Sequence, residues 1–415
     1  MKTKAVRLYG KNDLRLEEFE LPPMQPDEIM AEIITDSLCM STLKAVSNGA
    51  DHRKVPADIA THPVIVGHEF CGRIAAVGDM WKEQYHVGDK FVIQPNIGDV
   101  RAYAPGYSFP WIGGDATYGI FHCQVMDNGS LLSYHGDSYF AGSLVEPLSC
   151  IVGAFRAQYH LCDQYSHEHV MGTRQGGAMA LLGATGPMGF LAIDLAVHGA
   201  RRPRHLIVTG RTQEKLELVR RLYPVEEAAK YGVTLHYVNT RDVPQYAQQL
   251  RGLLPEQVSG FDDVFVMAAD PDMVTQASAM LAQDGCLNFF AGPLDCDFHA
   301  PINFFDVHYN VTHIVGTSGG NTEDMKEAIH LIEDGTVHVE KIVSHVLGLG
   351  AVVDTTLHLK HIPGGKKLVY THLDFPLSSL SDLSHLPNAA KIMTAVEEHG
   401  GFWCAEAERI LLNEA

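Results

Sequence analysis

Ala178-Met179-Ala180-Leu181-Leu182 is an unbroken apolar run, and Gly183-Ala184-Thr185-Gly186-Pro187-Met188-Gly189 follows it directly. No other stretch restricts the fold as much. A strand that is apolar at every position is buried on both faces, the condition of a parallel sheet. Glycines at 183, 186 and 189 then allow a tight turn into a helix, read as Phe190 to His198. In this setting the glycines permit close approach of a pyrophosphate, which rests on the helix N-terminus. Gly183, Thr185, Gly186, Pro187, Met188 and Gly189 are therefore candidate cofactor-binding residues.

The surrounding sequence supplies the rest of such a sheet. Strand-like runs at 205–209, 234–238, 263–267 and 286–290 alternate with helical stretches near 214–222, 243–254 and 271–282. This βαβ alternation predicts an α/β domain with a doubly wound parallel sheet and helices on both faces. An acidic residue at the end of the second strand would hold ribose hydroxyls. Here the strand ends in Gly210-Arg211-Thr212-Gln213-Glu214-Lys215. Arg211 and Lys215 suit a 2′-phosphate, with Thr212 donating a hydrogen bond. NADP(H) is thus preferred, and NAD(H) stays open if Arg211 is an ordinary surface cation.

The flanking sequence is β-rich and carries a different chemistry. Short strands occupy residues 1–35, and Asp36 to Lys44 reads as a strand end feeding a helical turn. Apolar residues lead into Gly67-His68-Glu69, which places an imidazole beside a carboxylate at a strand end. Both are good donors to a divalent metal. The alternative is a core histidine next to a surface glutamate. Cys39 at its strand–helix junction is either a thiolate ligand or a small buried thiol. Glu146, before Pro147 in an apolar helical stretch (141–160), is either a ligand or a helix N-terminal acid facing solvent. Residues 95–120 read as a long ordered loop, followed by a β segment to Val125-Met126. Tyr165 to Gly177 reads as a polar linker or hairpin. A strand at 312–316, a helix ending at Gly335 and a last β segment at 366–370 follow. The tail from 373 has a helical pattern and an apolar patch, Phe402-Trp403-Cys404, suited to packing on the core or on a partner subunit.

Composition excludes several function classes. The formal net charge of -19 argues against nucleic acid and anionic membranes as partners. No apolar run reaches membrane-spanning length, and the N-terminus has no signal-peptide core. Eight scattered cysteines without a Cys-x-x-Cys suit a reducing, cytoplasmic location and oppose a four-thiolate zinc lobe.

Taken in order, Cys39-Met40-Ser41-Thr42, Gly67-His68-Glu69, Gly88-Asp89-Lys90, Gly113-Gly114, Glu146-Pro147-Leu148 and Gly183 to Gly189 resemble the medium-chain dehydrogenase/reductase superfamily, in its zinc-dependent polyol-dehydrogenase branch. The likeness covers nearly all of residues 1–370. Stretches including Ala104 to Tyr107, Gly232 to Thr240 and Phe402 to Glu408 are similar to the L-sorbose-1-phosphate reductases of that branch.

The resemblance implies a GroES-like catalytic domain (1–170 and again 312–415, the latter with the helical tail) around a Rossmann domain (171–311). It implies one catalytic zinc held by Cys39, His68 and Glu146, Glu69 as a nearby or alternating ligand, and Ser41 in a proton relay. A sugar phosphate or polyol substrate is implied, with Lys44, His52, Arg53 and Lys54 as candidate phosphate partners, and a homodimer or homotetramer. Departures exist. The usual Cys-Gly-Ser/Thr-Asp lacks its Asp, and the structural-zinc cysteines of many relatives are absent from 95–120, so no structural zinc is expected. Two rivals remain: a zinc polyol or alcohol dehydrogenase of unphosphorylated substrates, and a non-catalytic NADP-binding protein.

Overall fold

A computed structural model describes residues 1–163 and 166–413. Tyr165, at the head of the polar linker, lies outside the described residues. The chain divides into two packed units. One comprises Met1–Pro147, Asn321–Glu333 and Val339–Ala415, the other Leu148–Gly320 and Asp334–His338.

The second unit is built on a six-stranded sheet. Its strands run in the order Thr234–Asn239, His205–Gly210, Ala178–Leu182, Phe261–Val266, Leu281–Phe289, His313–Gly316, all parallel. All five residues of Ala178–Leu182 are buried, as the apolar run demands. The strand order reverses at this strand, so a ligand crevice opens at its carboxyl end. The helix after the glycine turn spans Pro187–His198, three residues earlier than the sequence reading. Pro187 suits the first helical position, because its fixed φ fits the helix and its missing N–H has no partner there anyway.

The unit boundaries differ from those read off the sequence, for a packing reason. The strand at 313–316 pairs in parallel with Leu281–Phe289 and so completes the six-stranded sheet. The helix Val145–Ala157 gives this sheet its C-terminal part: Phe155 packs on Phe265 at 4.8 Å, and Asn288 donates to the Ala154 carbonyl at 3.1 Å.

The first unit centres on the strand Ile29–Ser37. It pairs antiparallel with Phe70–Val77, Lys366–Tyr370 and Tyr118–Phe121 within an eight-stranded sheet. A three-stranded sheet joins Lys2–Gly10 to Asp13–Glu20 and Val64–Ile65. Two apolar clusters fill this unit, one around Val6, Val46 and Leu347, the other around Ile33, Phe70 and Phe121. Val125 and Met126 lie in a short helix, Cys123–Asp127, not in the expected β segment. The helical stretch expected at 141–160 is two helices, Tyr139–Ser143 and Val145–Ala157, parted at Leu144.

The tail packs on its own unit. Its two helices, Ala389–Glu398 and Ala405–Leu412, bracket Trp403, which is fully buried and donates to the Tyr370 hydroxyl at 2.7 Å. Among the described residues, no helix is long and apolar enough to cross a membrane.

Candidate active site

Strand pairing brings the metal-binding candidates together. Asp36 sits opposite Phe70 in register, and the Ser37 amide donates to the Glu69 carbonyl at 3.0 Å. The end of one strand therefore lies beside the start of the other. Cys39 is the N-cap of the helix Met40–Asn48, and His68 and Glu69 precede Phe70–Val77. Gly67 has φ +89, and a Cβ there would collide with the Asp36 carboxylate. Asp36 is buried and accepts from the Glu69 amide at 3.0 Å. Burial, reinforced by the nearby Asp115 and Glu69, raises the Asp36 pKa well above the usual carboxylate range.

Ligand atoms of Cys39, His68 and Glu69 lie within 4.8 Å of one another. His68 is 5% exposed, and burial with the nearby Lys54 and Lys366 charges lowers its pKa, so the ring is neutral. Thr42, standing where the resemblance leads one to expect Asp, has Oγ1 3.2 Å from His68 Nδ1 and orients the ring. Ser41 Oγ donates to Cys39 Sγ at 3.0 Å and is 3.2 Å from His68 Nε2. The Tyr107 hydroxyl donates to Ser41 Oγ at 2.9 Å and lies 3.2 Å from His68 Nε2. The His52 ring stacks on Tyr107, and Lys54 Nζ stands 4.7 Å from the centre of the Tyr107 ring.

Glu69 is a buried acid with a buried partner. Both its oxygens pair with Lys366 Nζ, and Ser37 Oγ donates to one of them. Burial alone would lower the Lys366 pKa, but the Glu69 and Cys39 charges raise it, so the amine stays charged. Glu146 is half-buried in the first turn of Val145–Ala157, outside the compact three-residue group. Its charge is nonetheless felt at Cys39, Tyr107 and Lys366.

The donor set fits a zinc ion. Burial, then the Glu69 charge, pushes the Cys39 thiol up to about 12. A divalent cation reverses that shift, because a coordinating thiol is deprotonated outright. A sulfur, a neutral imidazole and a carboxylate within 4.8 Å of one another match zinc's N/S/O preference.

The cofactor candidates lie in the other unit. Gly183 has φ +71, and its amide donates to Thr209 Oγ1 at 3.0 Å. Gly186 caps the helix Pro187–His198, and a Cβ on Gly189 would collide with the Ala184 backbone. Thr212 caps Gln213–Leu222, and Lys215 is exposed in its first turn. Arg211 Nη1 donates to Asp270 Oδ2 at 2.9 Å. Asp270 in turn caps Pro271–Met280, accepting from the Asp272 amide at 3.0 Å. Arg211, Thr240, Tyr246, Asp270 and Met273 line a cavity of about 440 Å³.

The sequence reading missed Tyr107, Lys366 and Asp270. Tyr107 lies in a loop without periodicity, and Lys366 is 297 positions from Glu69. Asp270 carried a usable signal: an acid before Pro271 at a helix start.

Residues 25–131 match the alcohol dehydrogenase GroES-like domain, and residues 187–334 match the zinc-binding dehydrogenase domain. The chain is 51% identical to the L-sorbose 1-phosphate reductase of Klebsiella pneumoniae, covering 100% of this chain and 98% of that protein. It is 43% identical to the mannitol-1-phosphate 5-dehydrogenase of Aliivibrio fischeri, over 99% and 97% of the two chains. The crystal structure of 2R,3R-butanediol dehydrogenase from Bacillus subtilis superposes with a TM-score of 0.70 at 21% identity, covering 89% of this chain and 100% of that one. A zinc-binding dehydrogenase from Sinorhizobium meliloti, solved with NADP bound, gives 0.69 at 20% identity, over 89% and 100%.

Proposed function

The chain belongs to the zinc-dependent medium-chain dehydrogenase/reductase family, and from that premise we propose that it reduces a ketose phosphate, converting L-sorbose 1-phosphate to D-glucitol 6-phosphate with NADPH. The observation that carries this reading is the 51% identity, end to end, with a reductase of that substrate. A cation beside the candidate metal centre supports it: Lys54 stands over Tyr107, which bonds both Ser41 and His68.

Cys39, His68 and Glu146 would hold the catalytic zinc, with Glu69, whose ligand atom lies within 4.8 Å of those of Cys39 and His68, as the alternating ligand. When bound, zinc polarises the ketone oxygen as a Lewis acid and the nicotinamide supplies the hydride. The chain's own groups manage the proton and the substrate. Ser41 Oγ would pass its proton to the substrate oxygen as the alcohol forms and take another from solvent water, while the Tyr107 hydroxyl, donating to Ser41 and itself held protonated by burial, keeps Ser41 in place. Lys366 neutralises Glu69 and, paired with both its oxygens, would hold that carboxylate back from a bound metal. Lys54, with His52 stacked behind Tyr107, receives the substrate phosphate.

Gly183, Thr185, Gly186, Pro187, Met188 and Gly189 cradle the cofactor pyrophosphate. Arg211, Thr212 and Lys215 favour NADP(H) over NAD(H), because no acid ends the strand His205–Gly210. The enzyme is a cytoplasmic homo-oligomer. Eight free thiols suit a reducing compartment, and exposed Phe304, Phe305 and Tyr309 on the helix before the sheet's edge strand join exposed Ile314 within it.

Metal analysis and kinetics of Cys39→Ala and Glu146→Ala test the assignment. Both variants should lose the catalytic zinc and the NADPH-dependent reduction together. Full activity in a variant lacking that zinc would overturn it.

A further inference from the structure

A second group of metal-ligating side chains lies in the other unit, apart from the residues assigned above. Asp194, His198 and His338 place their ligand atoms within 4.8 Å of one another. Asp194 and His198 stand four apart on the helix Pro187–His198, so both project from one face. His338 arrives from the five-residue segment Asp334–His338. Asp194 is completely buried and His198 is 8% exposed. Asp194 Oδ1 lies 2.8 Å from His198 Nδ1 and 3.3 Å from His338 Nδ1.

The second nitrogen of His198 shows what this arrangement lacks. Nε2 is buried and has no hydrogen-bond partner among the described residues, and Glu227 Oε1 stands 3.6 Å from it. If neutral His198 spends its one N–H on Asp194, a bare nitrogen lone pair faces a carboxylate. A cation bound at Nδ1 removes that conflict. The proton then sits on Nε2 and points to Glu227, the carboxylate–histidine–metal relation that orients metal-bound imidazoles.

Donor spacing agrees with a small divalent ion. Ligands about 2.0–2.1 Å from zinc in tetrahedral array are about 3.3 Å apart. The Asp194–His338 pair is already at that distance, and the Asp194–His198 pair is half an ångström short. One carboxylate with two imidazoles also carries the charge that such an ion neutralises. The His338 side chain is 36% exposed, which gives an entry path and room for a water as fourth ligand.

We propose that Asp194, His198 and His338 bind a second Zn²⁺, a structural ion with only nitrogen and oxygen donors. It pins the segment Asp334–His338 to the sheet-covering helix. This site has no thiolate, so the absence of a Cys-x-x-Cys from the sequence does not bear on it.

The test is metal content per chain after dialysis against buffered Zn²⁺, on a Cys296→Ser background that disables the exposed Asp295-Cys296-Asp297 trio. The parent should hold two equivalents. His338→Gln should hold one and keep kcat within twofold, and Cys39→Ala should keep the equivalent that His338→Gln loses. Co²⁺ loading gives a second readout. Thiolate charge-transfer absorption should depend on Cys39 alone, and His338→Gln should remove one equivalent of Co²⁺ without reducing it. One equivalent in the parent that is unchanged in His338→Gln overturns the proposal.

Discussion

Glu408 ties the tail to the helix that precedes Glu146, and removing it should be expensive. Its side chain is 2% exposed. One oxygen accepts from the Tyr139 amide at 2.6 Å, the other from the Phe140 amide at 2.8 Å and the Tyr370 hydroxyl at 2.9 Å. The two amides open the helix Tyr139–Ser143, which has no side-chain cap of its own. Glu408→Ala therefore leaves three buried donors without their acceptor. At about 1–3 kcal/mol per orphaned group, with water relieving part of the loss, the expected destabilisation is about 4 kcal/mol. For a unit of this size that lowers Tm by roughly 10 °C. Glu408→Gln keeps one acceptor oxygen and turns an NH₂ toward the other donors, so it should lose about half as much. Differential scanning calorimetry reads the shift. Zinc content, measured alongside, should fall in step because Glu146 follows this helix by three residues. A Glu408→Ala protein that melts within about 2 °C of the parent would refute the reasoning.

Three further outcomes are expected. Ser41→Ala should lower kcat about 100-fold while zinc content stays the same, because only proton delivery is lost. Asp270→Asn keeps the helix cap but loosens Arg211, so NADPH should bind about three- to fivefold more tightly by calorimetry while NADH is unchanged. His345 should set an acid limit: burial, then the Lys367 charge, lowers its pKa from 6.5 to about 4. The folded chain holds fewer protons there than the unfolded chain, so stability is present above pH 6.5 and is lost as the pH falls towards 4. His345→Asn should flatten Tm against pH in that window.

What could be read from the sequence follows the range of the interactions involved. The turn at Gly183 to Gly189 and the parallel strands were legible because each signal is local, an apolar run and the punctuation after it. Cys39 and His68 were legible because strand ends and glycines mark where side chains converge. The partner of Glu69 was not, because Lys366 meets it only after the chain has built the other unit and returned. Tyr107 was hidden by an aromatic-rich loop in which no spacing singles it out. The unit boundaries were displaced for a related reason. A strand or helix shows its type in its own residues, but the sheet it joins is decided by strand pairing and side-chain packing, as at His313–Gly316 and Phe155.

The central claim is a zinc reductase that selects a phosphorylated ketose. Its most direct test is kcat/KM for L-sorbose 1-phosphate against L-sorbose, with NADPH and zinc-loaded enzyme. A phosphate held by a lysine charge at about 2–3 kcal/mol predicts a preference of roughly 30- to 150-fold for the ester. Lys54→Ala should collapse that ratio by raising KM for the ester alone. Equal efficiency on the two sugars would contradict the account.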